Sequence, residues 1–416
     1  MSQPADRSIL THFAALKDPR QCAKVLYPLT EILLLALAAT IAGADDFVEV
    51  TLWGEQHQAF LRRFFPYEAG IPSHDTMCDV FAAVDPELFQ VCFQAWVKDL
   101  RDGAPELIAI DGKTSRRSHD HGKGRKPLHT VSAWASGQRI VLGQRACEEK
   151  SNEITAIPLL LKSLDLTDAL VTIDAMGTQT KIAQAILDGG GDYILSLKEN
   201  WPATYAEVKL LFTNPPLGTV FEKHQTVDGC NGRIATRRHT VCYDVDWMMS
   251  DRRYPGEPKI PGLAMIGRVE TEVERGGTIE YETRYYLCSI TMTAEMFGQA
   301  VRGHWGIENR LHWVLDVVFR EDLARLRTGN APANMAIIRH SALNHCTGQN
   351  RSRASKTGGS ELDGTPSTSK LSFAAPHERS SDSPDEEGRS RCPHHVEYAN
   401  PAQAMIIASP CAHRCC

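Results

Sequence analysis

LIAIDGKT, residues 107–114, is the stretch on which the reading of this chain turns. An apolar, β-rich run ends on Asp111, and Gly-Lys-Thr follows, as at a strand that delivers a carboxylate to the rim of a sheet. LVTIDAMGTQ, residues 170–179, repeats the pattern with Asp174. Ligands of open α/β sheets collect at strand ends, so both acids are expected where a substrate reaches them. A third acid, Glu308, lies in RGHWGIENRLHW, residues 302–313. There Ile307, Leu311, Val314 and Val318 fall on one helical stripe, which anchors the helix in a core and leaves Glu308 beside it, facing a cleft.

Outward from these motifs the period of the apolar residues changes. Residues 1–100 read as helical, with ILTHFAALKD, VEVTLWGEQHQAFLRRFF and ELFQVCFQAWVKDL at three-to-four spacing and a turn-plus-cap signature in GIPSHDTM. LTEILLLALAATIAGA, residues 29–44, contains Glu31 and falls short of a bilayer span, which predicts a buried helix. Residues 101–344 form the expected second unit. Its runs LIAID, LHTVSAWA, RIVLGQRA, ALVTID and DYILSL read as strands, separated in part by the helices ITAIPLLLKSL and TKIAQAILDG: an α/β mixed sheet with flanking helices. Between about 200 and 290, alternating stretches such as RIATRRHTVCYDV and TIEYETRYYLCSI predict an antiparallel β insertion before the third acid.

NMAIIRHSALN starts an amphipathic helix, but from His345 the text turns rich in Ser, Gly, Pro and charge. Residues 345–416 are therefore expected to be disordered, and so abrupt a switch is what a shifted reading frame produces.

The net charge of −6 over 416 residues, with 42% hydrophobic and 23% charged content, is that of a soluble globular protein. A nucleic-acid partner then requires a local basic surface rather than a basic whole. No basic n-region precedes the apolar run, so a cytoplasmic location and no membrane partner are expected. Of the twelve cysteines, those before residue 300 are scattered singly. Cys346, Cys392, Cys411, Cys415 and Cys416, with His394, His395 and His413, match no usual zinc spacing.

IDGKT, HTVSAWASGQRIVLGQRACEEKSNEI, TIDAMGTQTKIAQAILDGGGDYILSLKEN and the segment from RGHWGIENRLHW to RHSALN occur in an order that resembles the H-repeat-associated DDE transposases, the ISAs-type insertion-sequence family. The resemblance runs from about residue 10 to about 344. It implies a ribonuclease H-like core and an acidic triad of Asp111, Asp174 and Glu308 holding two Mg²⁺ ions, with Mn²⁺ as a substitute. It also implies DNA as partner, both element ends and target, and a homodimer or larger assembly on that DNA. Related transposases often place Arg four residues before the glutamate and Lys seven after. Here those positions hold His304 and Leu315.

Candidate phosphate contacts follow from charge near the acids: Lys113, Arg116 and Arg117 after Asp111, then Lys123, Arg125 and Lys126 in the glycine-bearing loop HGKGRK. Lys150 and Lys198 lie in segments that resemble the family, and Arg302 and His304 precede Glu308. Asp316, Asp322 and Glu153 compete for the third-acid role, Glu153 reading better as a helix cap. His304, Glu308 and His312 recur every four residues without matching the HExxH zinc motif, so the histidines are expected to contact DNA or pack against Trp305 and Trp313. Trp134 reads as core. The rivals to a transposase are a decayed DNA-binding copy and a stand-alone nuclease of the same fold.

Overall fold

Four amino-terminal helices begin where the sequence offers a side-chain acceptor to the first turn. Ser8 caps α1 (Ile9–Ala14), Asp46 caps α3 (Phe47–Gln56), Ser73 caps α5 (His74–Ala83), and Asp85 with Pro86 opens α6 (Pro86–Leu100). Between them lie α2 (Leu29–Ile41) and the single turn α4 (Gln58–Leu61). The computed structural model describes residues 8–356 apart from 102, 104–105, 120–121, 123, 148–152, 231–232 and 250–258. Nearly every residue of α2 is buried, as its apolar text predicts. Its one carboxylate, Glu31, accepts the Tyr67 N–H at 2.8 Å, while the Tyr67 hydroxyl donates to the Glu31 carbonyl at 2.7 Å. Among the described residues no helix is long and apolar enough to cross a membrane.

The β-rich text between residues 107 and 288 folds into one mixed sheet of nine strands. They are β1 (Leu107–Thr114), β2 (His129–Ala135), β3 (Ile140–Cys147), β4 (Leu170–Ile173), β5 (Asp192–Leu197), β6 (Glu222–Cys230), β7 (Arg233–Cys242), β8 (Met265–Arg275) and β9 (Thr278–Cys288). Their order across the sheet is β3-β2-β1-β4-β5-β9-β8-β7-β6. The meander β1–β3 is antiparallel, β4 and β5 run parallel to β1, and β9 closes on β5 antiparallel. The alternating stretch after residue 200 is therefore not a separate layer. It widens the same sheet, because Ile194, Leu195, Ser196 and Leu197 on β5 pair with Cys288, Leu287, Tyr286 and Tyr285 on β9.

Helices α7 (Glu153–Leu161), α8 (Thr180–Asp188), α9 (Pro202–Thr213) and the short α10 (Asp246–Met249) fill the connections. After β9 the chain forms α11 (Ala294–Gly306), which lies against β1, β4, β6 and β7. Close approach depends on missing side chains: a Cβ on Gly298 would stand 2.8 Å from the His239 ring, and one on Gly303 2.3 Å from Leu107 Cδ2. A π-helical turn, Ile307–His312, and α12 (Trp313–Val317) follow.

The last helix, α13 (Ala331–Lys356), runs past the expected boundary at 344. It is no surface amphipath either. Met335, Ile337, Ile338 and Ala342 are buried as it packs over α2, α5, α6 and β3. Its Asn344 side-chain amide accepts the Val141 N–H and donates to the Val141 carbonyl, both at 2.8 Å, so a side chain takes the place of a neighbouring strand at the β3 edge. Of the tail cysteines only Cys346, a free thiol on α13, is among the described residues; the rest of that cluster lies outside them.

Candidate active site

Asp111 does not end its strand. β1 continues to Thr114 because β2 pairs with it as far as His129, and only the parallel neighbour β4 stops, at Ile173 opposite Ile110. The residue after each of those partners is an aspartate, Asp111 on β1 and Asp174 beyond β4. The sheet thus sets two carboxylates side by side. Glu308 follows α11 on the π-helical turn, and one of its carboxylate oxygens lies within 4.8 Å of one of Asp111's.

His312 completes the cluster. Its Nδ1 stands 3.3 Å from Glu308 Oε2 and 3.6 Å from Asp111 Oδ2, and the ligand atoms of Asp111, Glu308 and His312 all lie within 4.8 Å of one another. Asp174 lies outside this trio but acts on Asp111 electrostatically. One of its oxygens is occupied: Oδ1 accepts the N–H groups of Met176 and Gly177 at 3.0 and 3.2 Å. The loop behind it is fixed by Asn200, which donates to the Ala175 carbonyl at 2.6 Å, and by Trp201, whose indole donates to the Thr178 carbonyl at 2.8 Å.

Burial, and then contact with Glu308, push the Asp111 carboxyl up to about 8. Glu308 is held down at about 2, chiefly by its hydrogen bond with His312. Side by side, two carboxyl groups disfavour full ionisation of both, and with an imidazole nitrogen they form a donor set that a divalent cation fits, by displacing the shared proton.

Comparison with known proteins gives the family. Residues 78–345 match the family described as transposase DDE domain, and residues 10–97 match the DDE_Tnp_1-associated family. The chain belongs to the transposase DDE domain family. It is an insertion-sequence transposase by family, and the enzymes of that family cut and join DNA with divalent metal. The transposase is 36% identical over 343 residues to the H repeat-associated protein YhhI of Escherichia coli K12, which bears a transposase name, covering 82% of this chain and 90% of that one. It is 38% identical over 344 residues to YncI of Escherichia coli O157:H7, also named as a transposase, covering 81% and 87%. A solved piggyBac transposase synaptic complex with hairpin DNA covers 88% of this chain at 11% identity and a TM-score of 0.35, too distant to place residues.

Several residues expected to hold DNA have other partners in the transposase. Lys113 is no phosphate clamp: its ammonium group is nearly enclosed and pairs with Asp316 at 2.6 Å, Glu321 at 3.3 Å and Asp322 at 3.4 Å. Asp316 and Asp322, weighed as third acids, are thereby spent on tying the segment after Glu308 to β1. Arg302 is exposed but bound to Asp228, which also holds Arg237 at 2.5 Å. The His304 ring is half-buried and shares a hydrogen bond with Thr172 Oγ1 at 2.9 Å. Glu153 is no cap: it is buried at 2.5 Å from His129 Nε2. Arg116, Arg117, Arg125 and Lys126 are exposed, and Lys198 is exposed in a cleft beside Asp174 whose wall includes Arg284, His304 and Trp305. Lys123 and Lys150 lie outside the described residues.

Trp134 is core, as expected, whereas Trp305 and Trp313 are exposed and neither covers His312. Sequence reading found the four-residue recurrence of His312 but gave the ring to DNA or packing. The π-helical turn is what directs it to the acids.

Proposed function

We propose that the transposase hydrolyses phosphodiester bonds at the ends of its element and joins the freed 3′-hydroxyls to target DNA at a two-Mg²⁺ site, with Asp111, Asp174 and Glu308 as its catalytic carboxylates and Mn²⁺ able to replace Mg²⁺. The observation that carries the reading is the approach of Asp111 and Glu308 to within 4.8 Å of each other, beside a second strand that stops one residue short of Asp174. We read β3-β2-β1-β4-β5 as a ribonuclease H-like core and β6 to β9 as its insertion, since the acids border the first part alone.

Bound metal supplies an activated water or 3′-hydroxyl and neutralises the leaving alkoxide. Asp111 gives up its proton to take part in holding it. Glu308, the more exposed of that pair, reaches in from the helix side, and Asp174 offers the oxygen its loop N–H groups leave over. Arg116, Arg117, Arg125 and Lys126 at the rim, with Lys198 in the cleft, provide positive surface for DNA phosphates. Two element ends must be handled together, so the working unit is at least a dimer on DNA.

The test is a cleavage and strand-transfer assay on DNA carrying the element ends, with Mg²⁺ and the Asp111→Asn variant. Both activities should fall by orders of magnitude while DNA binding survives; near-normal cleavage rejects the mechanism.

A further inference from the structure

The acids are not the whole of the cluster. We propose that His312 is a direct nitrogen ligand of the ion held by Asp111 and Glu308, so that this position is a mixed nitrogen and oxygen site rather than an all-carboxylate one. The proposal rests on reading those two acids as metal-holding.

Two ligand atoms each about 2.1 Å from one ion stand between roughly 3 and 4.2 Å apart, depending on the angle they subtend. The His312 Nδ1 separations of 3.3 Å to Glu308 Oε2 and 3.6 Å to Asp111 Oδ2 fall inside that interval on both sides. A helical His–Glu pair at four-residue spacing would need only the first contact. The second exists because the π-helical turn swings the ring over β1 as well.

The ring has no competing assignment. It is 7% exposed, which removes it from a DNA-facing surface. Its other nitrogen, Nε2, has no hydrogen-bond partner among the described residues, so nothing there obliges the proton to stay on Nδ1. The tautomer with the proton on Nε2 turns a lone pair toward the acids. Asp174, with Oδ1 committed to its own loop and its side chain outside the trio, is left to serve the second ion.

Imidazole is a poor ligand for Mg²⁺ and a good one for transition metals, so this position should prefer Mn²⁺ beyond what three carboxylates would give. Pulsed electron paramagnetic resonance on the full chain loaded with Mn²⁺ reads the contact without any turnover. Electron spin echo envelope modulation should show coupling to a histidine ¹⁴N in the wild type and in His304→Ala, and none in His312→Ala. Binding titrations should show His312→Ala losing Mn²⁺ affinity by about tenfold or more, on the scale known for groups supporting a metal site, and losing less for Mg²⁺. Bound Mn²⁺ that is released by Asp111→Asn yet shows no nitrogen coupling in the wild type overturns the proposal alone. Mn²⁺ binding indifferent to Asp111→Asn overturns the metal reading of the acids with it. Because the wild-type spectrum is decisive, the result stands even where a variant fails to fold.

Discussion

Asp111 carries a cost that metal would repay on the proposed reading. Its carboxyl is buried and pushed up to about 8 by burial and by Glu308, so in metal-free protein near neutral pH the aspartate is largely protonated. Asp111→Asn should leave the metal-free stability unchanged or slightly higher, while abolishing the stabilisation that divalent metal confers. For the wild type that gain is about 2.7 kcal/mol at a hundredfold excess over Kd, visible as a Tm shift that the variant lacks. Lys113 behaves oppositely. Lys113→Met takes the ammonium group from three carboxylates, leaving Glu321 with Arg339 and Asp322 with Arg116 but Asp316 with neither, and should cost about 3 kcal/mol in urea unfolding. Arg117→Ala should change stability by less than about 0.5 kcal/mol and instead lower the salt dependence of DNA binding by about one phosphate contact. If Lys113→Met unfolds like the wild type, the ion cluster is not the tie it looks to be. Two buried histidines set the acid limit. Burial holds His340 down at about 3 and His239 at about 4, below the usual 6.5. The unfolded chain takes up protons below pH 6.5 that the fold refuses, so stability present at pH 7 is lost as pH falls from 6.5 toward 4. Each contributes about 1.4 kcal/mol per pH unit, and His340→Gln should flatten that slope in urea unfolding at pH 7 and 5.

Among the elements, β1 is the one on which the site depends, and Gly112 fixes its position. A Cβ there would lie 2.3 Å from Glu153 Oε1 and 2.6 Å from His129 Nε2, a buried pair that cannot retreat. Gly112→Ala should cost about 1–3 kcal/mol and weaken Mn²⁺ binding by moving the neighbouring Asp111; wild-type metal affinity in that variant would refute the coupling. The strand itself was legible, since LIAID announces β structure ending in a carboxylate. Its true length was not, because the text cannot say that β2 outlasts β4 as a partner. The helix bearing Glu308 was likewise legible from Ile307, Leu311 and Val314. Its π-helical turn was hidden, because a stripe read at the α-helical period assigns His312 a direction that one extra residue in the turn changes. Lys113 misled for a related reason: charge next to a catalytic acid looks the same whether it meets phosphate or the carboxylates of a segment 200 residues on.

At the scale of the molecule, the amino-terminal helices and the sheet are held together by α13, which covers α2 and occupies the β3 edge through Asn344. A chain ending at residue 330 uncovers both, and should be recovered as aggregate rather than as a soluble enzyme with a weakened site; a soluble, monomeric product would show that α13 is dispensable. Sequence reading gave the β-rich stretch as an antiparallel insertion within residues 101–344 without saying which strand it joins, since alternation marks a strand and is silent about its edge. Joining β9 to β5 has a consequence in time. Asp111 and Asp174 leave the ribosome roughly 130 residues or more before Glu308, a delay on the order of ten seconds at bacterial rates of synthesis. During that interval four further strands must be made and zipped to the edge of β5 before α11 has a surface to lie on. A growing chain therefore carries only part of the acidic cluster until about three quarters of its residues have been joined.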